Sequence, residues 1–153
     1  MNFNELATHS IELNREFESF WKSVDVDDFV KNITKNEIVL LKELIIKRID
    51  VLNSFEILCR VDFDGAKEIL LRRYLGKGVN LYSKFGGVTF ELSTILDDIV
   101  EIHGLESLKN ILKVNEIDLD KLRDEQVILS LANALNLSFE ETQAWLNKEV
   151  IFT

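Results

Sequence analysis

Carboxylate side chains outnumber basic side chains in the chain, and their excess is greatest in its second half. Residues 85–153 contain 13 acidic and 5 basic residues, a net charge of −8, against −9 for the whole chain. Carboxylate pairs spaced i and i+4 share one helix face, where they serve acid–base chemistry with a second component or bind a basic partner. Asp97 with Glu101 and Asp120 with Asp124 have this spacing, and together with Asp98, Asp118 and Glu125 beside them they are our candidate partner-binding residues.

A second component for catalysis is missing from the sequence. His9 and His103 are the only histidines, Cys59 is the only cysteine, and no H-E-x-x-H or cysteine-pair spacing for a metal occurs. Ser19 to Lys22 match the pattern S-x-x-K, but the partner motifs S-D-N and K-T-G are absent. We therefore expect that the protein is not an enzyme and that it needs no cofactor and no metal ion.

Helices are the elements expected to position the acids. The chain contains no proline and only six glycines, which favours long uninterrupted helices. Apolar residues fill about half the circumference of a helix from Glu37 to Arg60, and Thr34 and Glu37 have capping-box spacing at its start. We expect this segment to be the central helix of an all-α fold, a single compact helical domain of seven or eight helices.

A stripe with three–four spacing marks a second long helix, from about Phe3 to Val24. The stripe fits either a coiled-coil seam between two chains or the packing face of a bundle helix. The other apolar helices in the chain favour the bundle, so we expect a monomer or a weak homodimer. The stripe consists of Phe3, Leu6, Ser10, Leu13, Phe17, Phe20 and Val24.

Two helices are expected to carry most of the clustered acids. A helix from about Glu91 to Ile102 holds the first three of them. A second helix, from about Asp120 to Leu135, would project Asp120 and Asp124 from one side, about one turn apart. The sequence alone does not place these two helices side by side.

Glycine residues punctuate the middle of the chain, between Gly76 and Gly87. Within the single domain, residues 76–88 would then join two lobes, residues 1–76 and 89–153. Apolar residues also alternate within residues 79–92, a pattern that is typical of a small β-hairpin. A flexible connection between lobes and a hairpin are both consistent with this composition.

One motif in the second half resembles a DNA-binding element. Ser130 to Leu146, SLANALNLSFEETQAWL, resemble a helix-turn-helix motif, with a small residue in the first helix and Trp145 near the end of the second. Residues 91–148 as a whole resemble a degenerate lambda-repressor-like domain. That resemblance implies a helical DNA-binding fold whose reading helix would lie around Ile111–Glu125.

The same motif departs from the helix-turn-helix pattern at two places. Asn136 stands where the turn usually has a glycine, and Glu140 and Glu141 open the second helix, where a DNA reader carries neutral or basic groups. DNA affinity depends largely on Lys and Arg that neutralise phosphates, and residues 85–153 are strongly acidic. DNA binding is therefore not expected there, and the alternative DNA surface is residues 60–84, with 6 basic and 3 acidic residues.

The charge distribution decides the predicted function. We expect a small acidic protein that binds and neutralises another protein with a basic surface, of the immunity-protein, antitoxin or phage-inhibitor kind. The alternative is a transcriptional regulator derived from a helix-turn-helix domain. The sequence contains no recognisable secretory signal and no apolar run long enough to cross a membrane, so we expect a cytoplasmic protein without a membrane partner.

Overall fold

The computed structural model describes residues 2–8, 14–79 and 88–152. Within these ranges there are ten α-helices, where the sequence predicts seven or eight, and no β-strand, which confirms the all-α class. The predicted β-hairpin within residues 79–92 is wrong for its second strand, because Val88 begins a helix that continues to His103. Residues 80–87 lie outside the described ranges. None of the described helices is long and apolar enough to span a bilayer.

Packing divides the chain into two compact units, Met1–Ala66 and Lys67–Thr153, and α6 (Phe63–Leu70) contains the division. The expected single domain with lobes 1–76 and 89–153 stays a prediction. The other helices of unit 1 are α1 (Phe3–Thr8), α2 (Asn14–Ser23), α3 (Val26–Lys31), α4 (Lys35–Ile46) and α5 (Val51–Val61). Those of unit 2 are α7 (Val88–His103), α8 (Leu105–Leu112), α9 (Glu125–Leu135) and α10 (Phe139–Leu146).

The stripe between Phe3 and Val24 belongs to two helices rather than to one. Phe3 on α1 and Phe17 on α2 have ring centroids 6.2 Å apart, whereas one continuous helix would separate the two residues by about 21 Å. Both rings belong to the apolar core of unit 1, together with the rings of Phe20, Trp21 and Phe29. The stripe therefore marks packing faces within this unit, while its members Ser10 and Leu13 lie outside the described ranges.

The predicted central helix from Glu37 to Arg60 is interrupted. α4 ends at Ile46 and α5 begins at Val51, and the corner between them contains two residues in the left-handed region, Arg48 (φ 63°) and Asp50 (φ 50°). A helix with apolar residues around so much of its surface buries them more fully when its two halves pack on each other, as α4 and α5 do. Cys59, on α5, is fully buried by this arrangement.

Helix starts follow the local cap signals. The Thr34 hydroxyl accepts a hydrogen bond from the Glu37 backbone N–H at 3.1 Å, and the Glu37 carboxylate accepts one from the Thr34 backbone N–H at 2.9 Å, which confirms the predicted capping box. Asp25 caps α3 in a similar way through the Asp28 backbone N–H. These caps fix where α4 and α3 begin.

In unit 2, a π-helical turn, Leu71–Leu75, follows α6 and ends at Gly76. Gly76 has φ −78°, outside the left-handed region. Glycine is needed there for close approach: a Cβ would lie 2.3 Å from the Leu71 carbonyl oxygen. The segment around Gly76 pairs with Ile117 in an isolated antiparallel bridge, which holds the loop after α8.

The two long helices of unit 2, α7 and α9, pack against each other along a buried face. The Asn133 side-chain amide of α9 donates a hydrogen bond to the Ser93 hydroxyl of α7. This bond joins the second turn of α7 to the last turn of α9, so extensive packing of the pair requires antiparallel axes. The second half of α7 therefore lies beside the first turns of α9.

Candidate functional site

An exposed stripe runs along one side of α7. At about 100° per residue, Phe90, Thr94, Asp97 and Glu101 fall on the side opposite the buried Ile99. Phe90 is 71% exposed, Glu101 is exposed, and Asp97 is half-buried. Two of the predicted partner-binding acids are thus displayed on the same side of one helix.

The predicted helix from Asp120 begins five residues later than expected, at Glu125. Asp124 precedes it as the N-cap, and its carboxylate accepts hydrogen bonds from the backbone N–H groups of Gln126 at 2.9 Å and Val127 at 3.4 Å. Asp120 lies before a short 3-10 turn, Lys121–Arg123. Asp120 and Asp124 therefore do not share a helix face, and Asp124 serves to start α9.

Asp118 and Asp120 are engaged with neighbouring cations. The Asp118 carboxylate lies 3.1 Å from the Lys121 ammonium, which also donates to the Gly76 carbonyl at 2.8 Å. This contact with Lys121 holds the pKa of Asp118 below its usual value. Asp120 lies 3.7 Å from the Arg123 guanidinium. Both acids line an open cavity of about 340 Å³, but their charges are already balanced within the unit.

Three of the predicted acids have no neighbouring cation of this kind among the described residues. Asp97, Glu101 and Glu125 make no ion pair with any residue that the structure describes. Because α7 and α9 are antiparallel, the three lie toward the same end of the helix pair, and we call them the acidic face. Asp98, one residue from Asp97, lies on a different side of α7 and is half-buried.

Apolar side chains flank the acidic face, and sequence reasoning missed them. On α9, Leu129 is 39% exposed, one turn from Glu125 and Gln126, and Asn133 continues the same exposed stripe. Phe90 occupies the other end of the α7 stripe. An apolar residue on an otherwise polar helical stripe could have identified each of them in the sequence. Phe90 was instead assigned to the predicted hairpin.

The segment that resembles a helix-turn-helix motif forms two helices with a tight turn. Asn136 ends α9 in the left-handed region (φ 56°, ψ 45°), where an amide side chain is tolerated better than most. Ser138 and Glu141 form a capping box at the start of α10, and the hydrogen bond from the Ser138 backbone N–H lowers the pKa of Glu141. Glu140 and Glu141 are exposed on the helix that would face DNA. The lambda-repressor resemblance places a reading helix around Ile111–Glu125, but residues 113–124 contain no α-helix.

Within the described ranges, no group of three or more His, Cys, Asp or Glu side chains is arranged to hold a metal ion. The three carboxylates of the acidic face come from two helices that the packing of unit 2 brings together. No protein-family model matches the chain, and neither the curated proteins nor the solved structures include a match to it.

Proposed function

We propose that this protein binds a basic protein partner through the acidic face and neutralises it, in the manner of an immunity protein, an antitoxin or an inhibitor. The observation that carries the proposal is the group of three carboxylates, Asp97, Glu101 and Glu125, at one end of the α7–α9 pair without ion pairs among the described residues. Basic clefts are typical of nucleases and other proteins that act on nucleic acid, and an acidic helical surface can occupy such a cleft.

Electrostatics favours this function over DNA binding. A surface with a net charge of −8 over residues 85–153 repels phosphates and attracts lysine and arginine side chains. Such attraction mainly accelerates association, and it weakens as salt shortens the screening length to about 8 Å at physiological ionic strength. The alternative, a regulator derived from a helix-turn-helix domain, draws support only from the α9–turn–α10 geometry.

A basic peptide tests the proposal before any partner is known. Titration of the isotope-labelled protein with hexa-arginine, followed by NMR amide shifts, should perturb residues 97–102 and 124–126 more than the exposed acids of unit 1. Changing Asp97→Asn, Glu101→Gln and Glu125→Gln together should weaken binding by about tenfold, because three attractive charges are lost.

The matched control neutralises three exposed acids of unit 1, with the changes Glu5→Gln, Glu43→Gln and Glu56→Gln. It alters net charge by the same amount, so binding should fall far less than in the first variant. Equal losses in the two variants would mean that only net charge attracts the peptide, and the proposed face would be rejected. Saturable binding to duplex DNA at about 150 mM salt would favour the regulator instead.

A further inference from the structure

The furrow between α7 and α9 combines exposed apolar side chains with the carboxylates of the acidic face. Asn133 of α9 is hydrogen-bonded to Ser93 of α7, so helical geometry makes the exposed stripes of the two helices neighbours, with Phe90 and Asp97 on one and Leu129 on the other. The exposed Phe90 and Leu129 side chains leave apolar surface in water, which a docked apolar side chain would cover. The acids lie toward one end of this furrow and Phe90 toward the other.

The geometry of two packed helices determines which partner segment fits. Two packed helices leave a furrow that receives the apolar face of a third helix. From Phe90 to Glu101, the stripe covers about 17 Å, which matches about three turns of a docked helix.

We infer that the acidic face and this furrow together receive a basic amphipathic helix of the partner, with its apolar residues against Phe90 and Leu129 and its lysines or arginines against Asp97, Glu101 and Glu125. This inference rests on the proposed function and specifies the shape of the partner's contact. Charge complementarity selects the occupant: a basic helix balances three carboxylates that no described residue pairs. An acidic or neutral helix would leave those charges partly desolvated and unpaired.

Two synthetic peptides of equal composition distinguish helix docking from simple attraction. Each has about 15 residues, enough for four helical turns, with leucines and lysines in equal number in both peptides. In one peptide the leucines recur at i, i+4 and i+7 on a single face, and in the other the order is scrambled so that no apolar face forms. Binding of both to the full chain is measured by calorimetry at about 150 mM salt, with circular dichroism to follow the helicity of the peptide.

The patterned peptide should bind at least about tenfold more tightly than the scrambled one, and it should become helical on binding. The double change Phe90→Ala with Leu129→Ala should abolish that preference while charge-driven binding of the scrambled peptide persists. The control, Val39→Ala with Ile46→Ala, removes two apolar side chains of α4 that are each 49% exposed, and it should leave the preference intact.

The outcomes separate the inference from the proposed function. If both peptides bind equally and both depend on the acidic face, the basic partner is retained and the docked helix is rejected. If the preference survives the change of Phe90 and Leu129, the helix docks elsewhere and the inference is also rejected. If neither peptide binds, the proposed function fails together with the inference.

Discussion

Asp50 combines two unfavourable features, a left-handed backbone and a carboxyl group removed from water. Its Oδ2 accepts a hydrogen bond from the Trp21 indole N–H at 2.7 Å, and Asn53 and Ser54 also donate to its carboxylate. Burial raises the pKa of Asp50 above 3.8, and these hydrogen bonds only partly oppose that effect. The contact with Trp21 fixes the corner between α4 and α5 at the expense of an ionised, partly buried group.

The raised pKa of Asp50 predicts a pH-dependent stability. A carboxyl group with a higher pKa in the folded chain contributes most stability below pH 3.8, and that contribution is lost as the pH rises through the folded pKa. The variant Asp50→Asn keeps an acceptor for Trp21 but does not ionise. Denaturant unfolding between about pH 3.5 and about pH 6.5 should show its free energy of unfolding rising relative to the wild type.

The control for this experiment is Glu56→Gln, at an exposed position on α5. Its free energy of unfolding should follow that of the wild type across the same pH range. Parallel pH dependences in the wild type and Asp50→Asn would show that burial of the Asp50 carboxyl does not matter for stability.

Asp124 has a structural role that its acidic character conceals. Because its carboxylate accepts the backbone N–H groups of Gln126 and Val127, the variant Asp124→Ala should lower the free energy of unfolding by about 1 kcal/mol. Asp124→Asn retains a cap and should cost clearly less. Thermal unfolding followed by circular dichroism measures both, and equal losses would contradict the capping role.

Local sequence signals predicted where a helix begins better than they predicted where a long helix is interrupted by tertiary packing. The capping box at Thr34 was correctly located, because a cap needs only residues within one turn. The corner at Arg48 and Asp50 was missed, since Asp50 is held there by a hydrogen bond from Trp21, 29 positions earlier in the chain. No pattern within the segment itself announces that contact.

The candidate site was predictable in composition but not in geometry. Charge clustering selected Asp97, Glu101 and Glu125 from the sequence, but it could not separate them from Asp118, which is paired with Lys121. That distinction depends on which cations the fold brings near. The apolar members, Phe90 and Leu129, became visible only when the packing of α7 on α9 fixed which sides remain exposed.

A cluster of three side chains joins the π-helical turn to α7. The Tyr74 hydroxyl donates a hydrogen bond to the Glu91 carboxylate, and the Arg73 guanidinium lies 3.7 Å from the same oxygen. Burial, and then the hydrogen bond to Glu91, raise the pKa of Tyr74. The phenol is therefore held in its neutral, donating form.

The variant Tyr74→Phe should lower the free energy of unfolding by about 1–3 kcal/mol, because the Glu91 carboxylate loses its donor in a partly buried place. Combined with Glu91→Gln in a double-mutant cycle, the two changes should cost less than their sum. Strictly additive losses in urea unfolding would indicate that the two side chains are not coupled.

For the molecule as a whole, the excess of acidic over basic residues should determine how salt changes its stability to urea. With 27 acidic and 18 basic residues, self-repulsion opposes the folded state, and added salt screens it. The urea midpoint should therefore rise between about 20 mM and about 300 mM sodium chloride. The urea midpoint of the triple variant of Asp97, Glu101 and Glu125 should rise less with salt, because fewer like charges repel. A midpoint that falls with salt would mean that attractive ion pairs dominate.

Cys59 makes the opening of unit 1 observable without any added label. The thiol is fully buried on α5 and belongs to the only cysteine in the chain, so a water-soluble aromatic disulfide can react with it only when that helix opens. The rate of thiol release then measures how often unit 1 opens, and the variant Trp21→Phe, which removes the donor to Asp50, should increase it. The buried thiol thus serves as an intrinsic probe of how often unit 1 opens in the native protein.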